Sequence, residues 1–113
     1  MKVTKASELL KAAWSYIDSP DKLRKGSGVG VSSSSDRFDV VEALMRAASD
    51  MGGIGKNSRF YVPALRGLER YAEKGGFKNV VDLNDSRITT WEDVKKMFEV
   101  VISRLEEKEN LRS

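Results

Sequence analysis

Between Val94 and Leu105 the apolar residues Val94, Met97, Phe98, Val101, Ile102 and Leu105 recur at intervals of three and four. That spacing lines one side of a 3.6-residue helix and is incompatible with a strand, whose faces alternate every second residue. The stripe covers about three turns. Thr90 precedes it and Asp93 follows three residues later, a pair able to satisfy the free amides at a helix start reciprocally. A helix with one apolar face must bury it, so the remaining sequence has to supply matching faces.

Three further stretches do so. Ala6, Leu9, Leu10, Ala13, Trp14 and Ile17 form a stripe on a first helix, with Thr4 placed to accept from its opening amides. Ser19-Pro20 ends it, because a residue before proline avoids the α region. Pro20 then starts a short turn toward Lys25 that stops at Gly26. A second helix is expected from Ser35 or Asp36, with Phe38, Val41, Leu44, Met45 and Ala48 inward and a stop at Gly52-Gly53. A third is expected from Ser58 or Pro63 to Lys74, with Tyr61, Leu65, Leu68, Tyr71 and Ala72 inward and Gly75-Gly76 as its end. The pattern predicts a mainly α, four-helix domain spanning 1–113. Residues 26–36, rich in Gly and Ser, read as a flexible loop, and 107–113 as a frayed tail. Valine-rich pieces around 29–32 and 79–83 leave room for a short two-stranded β ribbon.

Composition narrows the chemistry. The chain has 113 residues, with neither His nor Cys. It therefore has no Ser-His-Asp triad, no imidazole or thiolate metal site and no disulfide. No apolar run is long enough to span a bilayer, and a cytoplasmic location is expected. Twenty basic and 17 acidic residues give a formal charge of +3, spread without a polybasic arm.

Candidate sites are few. GGIGKNS, 52–58, looks like a phosphate loop, but Asp50 stands where the first Gly belongs and Asn57 where Ser or Thr should follow Lys56. GSGVGV has Val31 at the third glycine of a dinucleotide fingerprint. Asp82, Asn84, Ser86, Thr90 and Asp93 approach calcium-loop spacing, yet Arg87 occupies the glycine position. No cofactor or metal is expected. On the third helix Arg59, Arg66 and Arg70, with Lys74 nearby, fall in one angular sector, suited to phosphates or an acidic partner. Glu73 shares that sector and Glu69 borders it. Helices two and three flank a glycine turn, as in a helix-turn-helix whose recognition helix would open at Ser58-Arg59.

The segments ASELLKAAWSYIDSPDKLRKGS, FDVVEALMRAAS and VVDLNDSRITTWEDVKKMFEVVI resemble a family of unknown function found in bacterial and phage genomes. The resemblance rests on Gly26 after a short helical turn, on Ala43-Leu44 with Ala47, and on Asn84-Asp85, Thr89 or Thr90, and Val94. It implies a small soluble accessory domain of phage or mobile-element type and transfers no functional residue. The expected function is non-enzymatic binding of a protein partner, including inhibition of a host defence factor. The alternatives are nucleic-acid binding through Arg59, Arg66, Arg70 and Lys74, and nucleotide or small-ligand binding at 52–58. A homodimer is compatible with the last helix, whose apolar face could serve the core or a partner helix.

Overall fold

The structure, a computed structural model, describes residues 5–23, 38–50 and 59–112. Five α-helices form among these residues: α1 (Ala6–Trp14), α2 (Val40–Asp50), α3 (Tyr61–Lys74), α4 (Val80–Asp85) and α5 (Trp91–Arg112). The mainly helical class holds. Helix α1 is central and packs on α2, α3 and α5, while α3 also meets α4 and α5. Leu9, Leu10, Ile17, Leu44, Leu68, Met97 and Phe98 are fully buried and form the middle of one core.

The expected β ribbon is not present in its second half. Residues 80–85 are helical because the backbone amides at their start find side-chain acceptors: Asn79 Oδ1 accepts from Asp82 N at 2.8 Å, and Glu69 Oε1 accepts from Val80 N. Two adjacent valines look extended locally, but these caps decide the outcome. The other half, 29–32, and the loop 26–36 lie outside the described residues. The pairing seen nearby is a single parallel bridge between Leu23 and Phe38, with Phe38 N donating to Lys22 O at 3.0 Å.

Helix starts differ from expectation where the cap is remote. Thr4 lies outside the described residues, and Lys5 at the N-cap of α1 makes no side-chain cap bond. Glu109 of α5 takes that role: Ser7 Oγ donates to Oε1 at 2.6 Å and Ser7 N to Oε2 at 3.2 Å. A carboxylate there also suits the positive end of the helix dipole. Lys11 and Glu106 pair alongside at 2.6 Å, and α5 runs through Arg112. At its other end α5 is tied to the turn after α1, since Trp91 Nε1 donates to Ile17 O at 3.0 Å and Trp14 stacks on Trp91. The expected Thr90–Asp93 capping box is present, at 2.9 and 3.1 Å.

Helix α1 stops at Trp14, earlier than the proline implied, and Pro20–Lys22 forms a 3-10 turn. Helix α2 begins four or five residues later than expected, at Val40, where Asp39 and Glu42 form a second reciprocal cap. Its buried face is Val40, Ala43, Leu44, Ala47 and Ala48, the side that packs on α1; Phe38 precedes the helix and Met45 is exposed. The Tyr16 hydroxyl donates to Asp50 Oδ2, joining the turn after α1 to the end of α2. That bond holds the Asp50 carboxyl below its ordinary range and raises the Tyr16 hydroxyl.

Candidate functional site

The end of α3 builds one wall of an open cleft. Gly76 adopts φ 93°, a left-handed conformation that side chains disfavour. The amide of Phe77 then reaches Ala72 O at 3.0 Å and that of Gly76 reaches Glu73 O at 3.0 Å, the paired bonds of a Schellman stop. This turn brings Phe77 back beside Tyr71. Leu83 of α4 forms the floor. The opposite wall is the turn between α4 and α5, where Thr89 N donates to Ser86 O at 3.2 Å and Ile88 N to Ser86 Oγ at 3.4 Å.

Tyr71, Gly75, Phe77, Leu83, Ile88, Thr89 and Asp93 line this open recess of about 240 Å³. That falls below the ~300–1,000 Å³ of pockets that engulf a small ligand. Thr89 points inward and is buried, which leaves its neighbour Ile88 projecting at 78 % exposure. Val81, on the outer side of α4, is 46 % exposed. Asp93 is engaged in the Thr90 cap.

Arg66, Arg70 and Lys74 are all exposed on α3. The helix buries Tyr61, Ala64, Leu68 and Ala72, so at 100° per residue Arg66 and Arg70 lie nearly opposite the core. Arg59 does not share this face by helical register. The helix opens at Tyr61, and Arg59 sits in the preceding turn with its guanidinium carbon 5.9 Å from the centre of the Phe60 ring. Arg59 therefore precedes the helix that the recognition-helix reading has it open, and Ser58 lies outside the described residues. Pro63 is the third helical residue, where a missing amide costs no bond. Glu73 remains on the exposed face, whereas Glu69 is committed to Val80 N. The phosphate-loop candidate 52–58 lies outside the described residues.

A second recess, lined by Lys5, Ser7, Glu8, Lys11, Glu106, Glu109 and Asn110, is filled with pairs already made, Lys11 to Glu106 and Ser7 to Glu109. The calcium-like spacing at 82–93 is absorbed into structure. Asn84 is buried and accepts from Val40 N at 3.1 Å, and its amide donates to Asp85. Among the described residues no three His, Cys, Asp or Glu side chains converge as a metal site would require, and no helix is long and apolar enough to cross a membrane.

The helices, the cleft and the basic face define a small, mainly helical domain whose described surface carries an open apolar recess. The chain belongs to a family of unknown function, DUF6197, whose family model matches residues 1–104. No curated protein and no solved structure matches it.

Proposed function

We propose that this protein is a non-enzymatic binding domain that grips a protein partner at the cleft between α3, α4 and the start of α5. The observation that carries this reading is Ile88. A large aliphatic side chain is held out at 78 % exposure by a hydrogen-bonded turn, at the mouth of a recess walled by Tyr71 and Phe77. Apolar side chains beside a concave aromatic surface are what a partner desolvates on docking. The absence of His and Cys supports binding over catalysis. The sequence resemblance described above supports a phage or mobile-element accessory whose partner is a host protein, a defence factor included.

The test is paired affinity purification from the native cell with the wild-type chain and Ile88→Glu. The substitution lies on the surface, so the melting temperature should be unchanged. A stoichiometric protein recovered by the wild type should be lost with the variant, because a central anchor contributes about 2 kcal/mol or more, roughly 30-fold in affinity. Equal recovery by both chains, or no partner for either, would overturn the proposal.

A further inference from the structure

Residues 59–78 hold five basic side chains, Arg59, Arg66, Arg70, Lys74 and Lys78, and two acidic ones, Glu69 and Glu73. Their formal balance is +3, the same as that of the whole chain, so the rest of the protein is neutral in sum. The charge excess is thus concentrated on one helix and the turns beside it. All five basic residues are exposed. Glu69 is turned to the start of α4, where its carboxylate accepts from Val80 N while keeping its charge. Glu73 is the acidic residue exposed on the same face as the cations.

Geometry adds a ruler. Arg66, Arg70 and Lys74 are spaced by four residues on a regular helix, about 6 Å apart along its axis. From Arg66 to Lys74 they form a cationic row about 12 Å long against which a phosphate backbone can lie. Guanidinium groups offer the forked donors that phosphate oxygens accept. Val62, 50 % exposed near the start of the same helix, adds apolar contact but no charge.

We infer that the solvent face of α3 is a second binding site, for the sugar-phosphate backbone of a nucleic acid, with Arg66, Arg70 and Lys74 each meeting a phosphate. Such contacts position a strand without reading its sequence. The site is separate from the cleft at Ile88 and does not depend on it.

Fluorescence anisotropy with mixed-sequence DNA of about 20 nucleotides, single-stranded and duplex, tests the assignment. Three phosphate contacts give a slope of log affinity against log salt of about −2 to −3, so binding should weaken roughly 20- to 40-fold between ~50 and ~200 mM salt. Arg66→Ala with Arg70→Ala leaves one contact and should cut that loss to about threefold. The charge-preserving pair Arg66→Lys and Arg70→Lys should keep most of the slope, and Glu73→Gln should tighten binding. The melting temperature of each variant checks the fold. Which of the two DNA forms binds tighter identifies the form the face prefers. No binding to either at ~50 mM salt, or the same slope in wild type and the double alanine variant, overturns the inference. So does binding to polyglutamate that matches or exceeds binding to DNA.

Discussion

A methyl group added at Gly67 would lie 2.7 Å from Cγ1 of Val101, a side chain buried in the contact between α3 and α5. Glycine inside a helix ordinarily costs about 0.5–1 kcal/mol relative to alanine. Here that cost accompanies an approach that alanine would block. Overpacking a close contact costs about 1–3 kcal/mol, so the clash outweighs the gain in helix propensity. Gly67→Ala should therefore lower stability by about 1–2 kcal/mol, read from the urea midpoint. A midpoint that rises would show that the two helices do not cross at this residue. Nothing in the sequence around Gly67 reveals this, because an isolated glycine in a helical pattern looks like a local defect until the partner helix is in place. Gly76 is the opposite case. Its role as a left-handed stop could be read directly from Gly75-Gly76 at the end of an apolar stripe.

At the level of elements, α4 works as a connector. It is six residues long, too short to be stable alone, and is held by bonds to distant parts of the chain. Glu69 of α3 caps its start, and its own Asn84 accepts from the first amide of α2. Asn84→Ala would leave Val40 N buried without that acceptor and should cost about 1–3 kcal/mol in a denaturant titration. Asn84→Asp keeps an acceptor at a helix N-terminus and should cost less. If the two substitutions were equally harmful, the bond to Val40 would not be what matters at this position. These long-range caps explain which elements could be foreseen. The stripes of α1 and α5 and the Thr90–Asp93 cap are written in adjacent residues. The helical state of 80–85 has a local signal in Asn79, which caps Asp82 N, but also draws on Glu69, eleven residues before Val80, and that part could not be read from Val80-Val81. The start of α2 was displaced because Asp39 and Glu42, rather than the earlier Ser35 or Asp36, cap it, and its buried face was displaced because the helices packed on it take the side of Ala43 and Ala47 rather than that of Met45. The candidate sites divide in the same way. Arg66, Arg70 and Lys74 follow from helical angles alone, whereas the Ile88 cleft gathers pieces of three helices and two turns and leaves no local pattern.

Across the whole molecule, polar ties at the edges of the core set how stability should respond to pH. The Asp50 carboxyl is held below its ordinary 3.8 by the Tyr16 hydroxyl and then by Arg46. Its contribution is present above 3.8 and is lost as pH falls through the depressed folded value. Tyr16 is raised above 10.0 chiefly by that same bond, so its contribution is present below 10.0 and fades as pH rises through the raised folded value. Lys11, raised by Glu106, acts in the same alkaline sense from 10.5 upward. Tyr16→Phe should lower the melting temperature near neutrality and flatten both limbs of its pH profile between about pH 3 and 11. Profiles that run parallel for the two proteins would show the hydroxyl to be idle. The clasp between Ser7 and Glu109 has a practical consequence of another kind. It sets the start of α1 beside the last turns of α5, while Asp93 at the cleft lies about 24 Å away along the same helix. A fluorophore, biotin or solid support attached near either clasped residue would share one corner of the molecule and leave Ile88 facing open water.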